Sequence, residues 1–359
     1  MPTRLDAVSP SGAFMRALWR HRGERAAVTL LLETAQRERG WVTRPHLELI
    51  AAVLDLPLAE LESQVERHPE LRAEPPGSHL IQTCDGLACH LGAGDRLHGV
   101  LARELGIQPG QTTADGRVTW RAVPCLGACV RAPAMAVDGE VFGPLDGAEA
   151  AEILRELRSD ELRADPVEVL PPPAEGRVVR LTGRVRRPCL VQVDPGTRLS
   201  ELVERVGGGT PNGAPFKAAL CGSRLCPAWR FEAPLPPPEG LELAGETLQI
   251  LVIDESVCVV GLMVLLLSRA AARACGRCAL GRLGTRRMLV LAEGIQRGTG
   301  HGGIEALEAL APQVAGGARC GGCRAPAQAV ADALTEFPRE VWAHAVTGHC
   351  TAGACGVAP

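Results

Sequence analysis

Cys84-Asp-Gly-Leu-Ala-Cys89, thirty-five intervening residues, and then Cys125-Leu-Gly-Ala-Cys129 form the stretch that decides the fold. Each cysteine pair follows a segment of strand character. These are His79-Leu-Ile-Gln-Thr83 and Val118-Thr-Trp-Arg-Ala-Val123, the second alternating its faces into Cys125. Two strands that run out into Gly-bearing loops bring four thiolates to one end of a small sheet, and such a donor set holds an iron–sulfur cluster or a metal ion. The four- and three-residue spacers differ from the two-residue spacers of zinc ribbons and from the Cys-x-x-Cys of thioredoxin-type redox pairs. A four-residue spacer suits [2Fe–2S], whose irons each take two thiolates; two disulfides and a structural zinc are the alternatives. His90, beside Cys89, is not needed as a ligand where four thiolates are at hand.

Working outward, residues 12–37, 44–54 and 58–66 have helical spacing, with Leu47, Ile50, Val53 and Leu54 on one face and Thr43 as a cap ahead of Arg44-Pro45. Downstream, Asp95 to Leu105 reads as an amphipathic helix, Ala134 to Val137 as a strand, and Asp146 as the cap of a helix that uses Ala150, Ile153, Leu154 and Leu157. Strand, helix, two strands, helix is a thioredoxin-like layer.

With Leu126-Gly127-Ala128 inside the second pair and Ala132-Pro133-Ala134-Met135 after it, residues 25–158 resemble the small thioredoxin-like [2Fe–2S] subunit of respiratory complex I. The same module occurs in NAD-linked hydrogenases and formate dehydrogenases. The resemblance implies that Cys84, Cys89, Cys125 and Cys129 hold the cluster. His68-Pro69 departs from that family's aromatic-rich turn, away from these cysteines.

Residues 159–176, with Pro166, Pro171, Pro172 and Pro173, read as a semi-rigid linker. From Arg177 the pattern becomes strand, strand, helix and a later strand at Phe216–Leu220, the helix capped by Thr197 and ended by Gly207-Gly208-Gly209: a β-grasp order. Through Gly183-Arg-Val-Arg-Arg-Pro188 and Pro195-Gly196-Thr197 it resembles the ubiquitin-like (SLBB) domain of the flavin-carrying subunit of complex I. There, the β-grasp is followed by a helical bundle, opened by Ser-Cys-Gly-x-Cys-x-x-Cys and completed by a distant cysteine, together holding [4Fe–4S].

Here Cys275-Gly-Arg-Cys278-Ala-Leu-Gly281 has glycine where the third ligand is expected, Cys320 matches the distant ligand, and Cys323 stands nearby. Four thiolates result, Cys275-x2-Cys278 and Cys320-x2-Cys323. They suit a relocated [4Fe–4S] cluster, a zinc site with ribbon-like spacers, or neither. Cys189, Cys221, Cys226 and Cys258 read as core thiols. Cys350 and Cys355 lie in a tail resembling a segment that leads, in some relatives, into a ferredoxin domain. Gly298-Thr-Gly300-His-Gly-Gly303 joins two helices and follows no strand, which excludes the dinucleotide reading.

The expected architecture is α+β and multidomain: helical region 1–77, thioredoxin-like [2Fe–2S] domain 78–158, linker 159–176, β-grasp 177–256, helical iron–sulfur bundle 257–348 and tail 349–359. The 359 residues carry a net charge of −3 with both signs interspersed, so no nucleic-acid footprint is present; Lys217 is the sole lysine. Fourteen cysteines without an export signal argue for a reducing, cytoplasmic setting. The longest apolar run, Val257 to Leu267, is too short to cross a bilayer and reads as a buried helix.

The Gly-rich FMN- and NADH-binding domain that precedes the β-grasp in the flavin-carrying relatives is not seen here, so no FMN or NAD is expected on this chain. Its expected role is one-electron conduction to a catalytic partner: a molybdopterin formate dehydrogenase, a hydrogenase or a separate flavoprotein. A non-conducting assembly module braced by structural metal sites is the alternative.

Overall fold

A computed structural model of the chain describes residues 10–68, 71–92, 94–158, 177–194, 196–235, 247–274, 278–300 and 302–355. The linker 159–176 and Cys275 lie outside the described residues. The chain divides into two compact units, Met1–Val169 and Leu170–Pro359.

The first unit opens with α1 (Gly12–Arg20), α2 (Val28–Arg39), α3 (Arg44–Leu54) and α4 (Leu58–Arg67). One helical segment over 12–37 was expected. The chain instead breaks after Arg20, because Gly23 adopts φ +78°, a left-handed conformation that glycine tolerates and a helix does not. The break lets Phe14 and Leu18 of α1 fold back onto Leu31 and Leu32 of α2, all fully buried. Thr43 sits at the N-cap of α3 as expected, but its hydroxyl pairs with His46 Nδ1 (2.7 Å) in place of a backbone amide.

The sheet of this unit is built from β1 (His79–Cys84), β2 (Val118–Val123), β3 (Met135–Val137) and β4 (Glu140–Phe142), in the order β2-β1-β3-β4. The parallel β1–β2 pair runs in register from His79 opposite Val118 to Cys84 opposite Val123. Between these strands lie α5 (Leu87–Leu91) and α6 (Gly94–Leu105), and α7 (Gly147–Arg158) closes the layer. Leu97 and Leu101 of α6 and Ile153 and Leu154 of α7 pack with Trp120 and Met135 in one core. Asp146 caps α7 as its sequence predicts: Oδ1 accepts from the amides of Ala148 and Glu149, both at 2.8 Å, while Glu149 Oε2 accepts from the Asp146 amide.

In the second unit, β5 (Arg177–Gly183), β6 (Cys189–Val193), β7 (Phe216–Cys221), β8 (Arg224–Pro227) and β9 (Thr247–Asp254) form a sheet of order β6-β5-β9-β7-β8. The first and last strands lie parallel at its centre, the β-grasp arrangement. The helical segment Glu201–Val206 covers one face through Leu202 and Val203. Thr197 does not cap that segment, because its hydroxyl donates to the Asp194 carbonyl.

The run Val257 to Leu267 becomes α8 (Val259–Ala272), with Leu262, Met263, Leu266 and Leu267 buried. It is followed by α9 (Thr285–Gln296), α10 (Gly303–Gly317), α11 (Gly321–Glu336) and α12 (Pro338–Trp342). The Gly298-to-Gly303 stretch joins α9 to α10, as read from its letters. Among the described residues no helix is long and apolar enough to cross a membrane.

The sheet and the bundle of this unit are tied by the chain's single lysine. Lys217 of β7 is 5% exposed; its Nζ lies 2.6 Å from Glu340 Oε2 and donates to the Val257 carbonyl at 2.9 Å. Glu340 Oε1 in turn accepts from the Val259 amide at the start of α8 (2.7 Å). Removing one member of a buried ion pair strands the other, so the change Lys217→Met is expected to destabilise this unit by about 3 kcal/mol. Chemical denaturation of the full chain, followed by helical circular dichroism, reads the loss, and Lys217→Met with Glu340→Gln should recover part of it.

Candidate iron–sulfur centres

Because β1 and β2 are parallel and in register, their C-terminal ends leave the sheet at the same edge. Cys84 ends β1, Cys89 sits in α5 directly after it, and Cys125 follows β2 by two residues. The four thiols meet there. Cys84 hydrogen-bonds with Cys125 and with Cys89, and Cys125 Sγ lies 3.7 Å from Cys129 Sγ, well beyond a disulfide bond. These contacts, with Cys125 first and burial adding to them, push the Cys84 thiol far above its ordinary range. Crowding of this kind is what a bound cation relieves, since thiolates repel one another until a metal neutralises them.

Backbone amides point at the sulfurs. Gly86 N donates to Cys84 Sγ (3.4 Å), Leu126 N also reaches Cys84, and Gly127 N donates to Cys125 Sγ (3.2 Å). Gly127 does so at φ +77°, so the glycine within Cys125-Leu-Gly-Ala-Cys129 is required by the turn. Ala128, Ala134 and the partly buried Leu126, Ala132 and Val141 form an apolar cup around Cys84 and Cys89, which are buried, whereas Cys125 is exposed. Soft thiolates, amide donors and a partly dry shell suit an iron–sulfur cluster. His90 turns away from the sulfurs to pair with Asp95 (Nδ1 to Oδ1, 3.1 Å).

In the second unit Cys278 lies in the α8–α9 connection, Cys320 is the N-cap residue of α11 and Cys323 stands in its first turn, and Cys278 and Cys323 both border Gly281. Cys275, the remaining expected ligand, lies outside the described residues. The Arg319 amide (3.4 Å) and then the Gly281 amide (3.3 Å) donate to Cys278 Sγ and lower its pKa, favouring thiolate. A β-carbon added at Gly281 would stand 2.9 Å from Cys278 Sγ and 3.3 Å from Cys323 Sγ. The space where the complex I pattern asks for a third cysteine is therefore bordered by Cys323, whose Sγ also contacts the Gly281 carbonyl (3.6 Å). Glycine at 281 thus leaves room beside the sulfurs of Cys278 and Cys323.

A third gathering was not read from the sequence. Cys258, taken as an isolated core thiol, comes together with His344 and with Cys350 and Cys355 of the tail. Nothing in residue spacing announces it, because Cys258 and His344 stand 86 positions apart. Cys226, read as a core thiol, is hydrogen-bonded to Cys221.

A sheet edge that presents four crowded thiols under amide donors, on a thioredoxin-like layer, defines an iron–sulfur protein. Residues 14–158 match the thioredoxin-like [2Fe-2S] ferredoxin family, 178–222 the SLBB domain, and 262–344 the NADH-ubiquinone oxidoreductase-F iron-sulfur binding region. The first part is 36% identical over 130 residues to the E-type subunit of NADH-quinone oxidoreductase from Pseudomonas aeruginosa, spanning 36% of this chain and 78% of that protein. It is 34% identical over 134 residues to the counterpart of the same name in Escherichia coli, spanning 37% of this chain and 81% of that one. Through this part the chain belongs to the thioredoxin-like [2Fe-2S] ferredoxin family, together with these NADH-quinone oxidoreductase components.

The fold extends over nearly the whole chain in a crystal structure of an NAD+-reducing [NiFe]-hydrogenase in the H2-reduced state. The TM-score is 0.72 at 13% identity, covering 90% of this chain and 94% of the matched one. The air-oxidized state of such an enzyme gives 0.67 at 14% identity, covering 89% and 93%.

If Cys278 and Cys323 share one metal site, Gly281→Ala should weaken metal binding there by about 10- to 100-fold, the usual effect of disturbing the surroundings of a ligand. Gly281→Cys with Cys323→Ala should keep the metal. Metal content per chain, measured after dialysis, distinguishes the two variants.

Proposed function

We propose that the chain is an iron–sulfur electron-transfer subunit of an NAD(P)H-linked oxidoreductase complex. In this reading Cys84, Cys89, Cys125 and Cys129 hold [2Fe–2S], and Cys275, Cys278, Cys320 and Cys323 hold a second centre of the [4Fe–4S] kind. The clusters would supply reversible one-electron steps, while the chain sets where those electrons enter and leave. The carrying observation is the contact of Cys84 with Cys125 beside the 3.7 Å separation of Cys125 and Cys129, since a shared inorganic core accounts for four thiols packed so closely without a disulfide.

Burial gives the site a direction. Cys84 and Cys89 are shielded by the apolar cup, and Cys125 is open to solvent, so exchange with a partner would run through the Cys125–Cys129 side. Amide donation to Cys84 and Cys125 lowers charge on the sulfurs and raises the reduction potential. The hydride acceptor would belong to the partner, a catalytic subunit of the molybdopterin formate dehydrogenase or hydrogenase type or a separate flavoprotein. Kinship with the NADH-quinone oxidoreductase components and the match to the iron-sulfur binding region support this reading.

For the second centre, the paired two-residue spacers also favour zinc, which would make that site a brace instead of a conductor. Its loss in Cys278→Ser separates the two metals: iron lost with the variant supports conduction, zinc lost supports bracing.

The central test is anaerobic reduction of the full chain by dithionite, read by electron paramagnetic resonance. A [2Fe–2S] signal that appears on reduction, vanishes on reoxidation and is abolished in Cys84→Ala is expected. Absence of any reducible signal in the wild-type chain would overturn the proposal.

A further inference from the structure

We propose that Cys258, His344, Cys350 and Cys355 form a closed, mononuclear zinc(II) site that clasps the C-terminal tail to the head of α8. One ligand atom from each of the four residues lies within 4.8 Å of all the others. Zn–S bonds of about 2.3 Å place the sulfurs of a tetrahedral site about 3.8 Å apart, so this spread fits one ion. An iron–sulfur core, with several irons and bridging sulfides inside the thiolates, holds them further apart.

Each ligand comes from a differently built segment. Cys258 is the N-cap of α8, four residues after β9 ends, with the Gly261 amide donating to its sulfur at 3.2 Å. His344 follows α12 and is fully buried; its Nδ1 donates to the Glu340 carbonyl (3.0 Å), which turns Nε2 toward Cys258 Sγ at 3.4 Å. A histidine whose far nitrogen is fixed by a carbonyl presents the other as the metal ligand. Cys350 is buried and takes amide donation from Ala352, Ala354 and Cys355, the turn that a metal-binding knuckle makes around its sulfur. Cys355 receives the Gln296 side-chain amide at 3.6 Å and lies beside Gly261 at the start of α8, where a β-carbon would stand 3.5 Å from its sulfur, an ordinary contact.

The surroundings favour a structural ion. Three thiolates and one imidazole complete four coordination, leaving no position for substrate, and the donors are soft and mostly dry. Behind them stands the Glu340 carboxylate, held by Lys217 and by the Val259 amide, so the backbone that orients His344 is itself fixed. Binding would release to solvent whatever protons the thiols and imidazole carry, with no electron transferred.

This site is independent of the [2Fe–2S] assignment, and the experiment keeps them apart. The full-length chain, produced with zinc supplied, is analysed for zinc and iron per chain as wild type, Cys355→Ser and Cys278→Ser. The expected result is that Cys355→Ser loses one zinc with iron and the [2Fe–2S] resonance unchanged, and that Cys278→Ser keeps that zinc. Zinc unchanged in Cys355→Ser, or iron lost in its place, overturns the proposal. Should Cys355→Ser fail to fold, zinc-edge X-ray absorption of the wild-type chain decides. A nitrogen neighbour among sulfurs supports the site, and a shell of sulfur alone or one containing oxygen overturns it.

Discussion

The parallel, in-register pairing of β1 with β2 is the constraint on which the first unit depends. Parallel strands end at the same side of a sheet, and here that geometry delivers Cys84 and Cys125 to one edge from positions far apart in the chain. The rest of the layer serves that edge. The core around Trp120 and Met135 fixes the sheet, the small apolar residues near Ala128 and Ala134 exclude water from Cys84 and Cys89, and backbone amides satisfy the sulfurs. A slip of one residue between the strands would turn alternate side chains to the opposite face and scatter the thiols.

In the second unit a buried polar knot plays the corresponding part. Lys217, Glu340, the start of α8 and His344 are joined by hydrogen bonds that run from the β-grasp sheet into the helices. A chain whose positive charge is otherwise arginine keeps its one lysine where a compact ammonium fits between a carboxylate and a carbonyl. Gly281 plays a different part: its missing side chain leaves room beside the sulfurs of Cys278 and Cys323.

Much of this was legible in the sequence. The strands before both cysteine pairs, the helix after Cys258 and the Asp146 cap follow from alternation, apolar length and capping chemistry, each decided within a few residues. Other features escaped for the same reason in reverse. The central strand β9 is apolar almost throughout, as a strand buried on both faces must be, so it lacks the alternation that marks a half-exposed strand. The short strands β4 and β8 owe their existence to hairpin pairing with β3 and β7. The break between α1 and α2 was missed even though Arg20 to Arg25 carries no apolar residue and holds Gly23, because the flanking segments each have strong helical character. Cys258 looked like an ordinary core thiol because its neighbours in space are set by the packing of the bundle, which no local spacing encodes.

A thioredoxin-like layer, a β-grasp and a cysteine-bearing bundle in one chain bring two of the iron–sulfur modules of NADH-linked complexes under a single backbone. The most direct measurement of the central claim is Mössbauer spectroscopy of the iron-enriched full chain, prepared anaerobically and compared before and after one-electron reduction. The predicted result is a binuclear ferric site that becomes one ferric and one ferrous ion on reduction, and that is missing when Cys84 is replaced by alanine. Iron bound only as single ions, or a binuclear site that persists without Cys84, would contradict it.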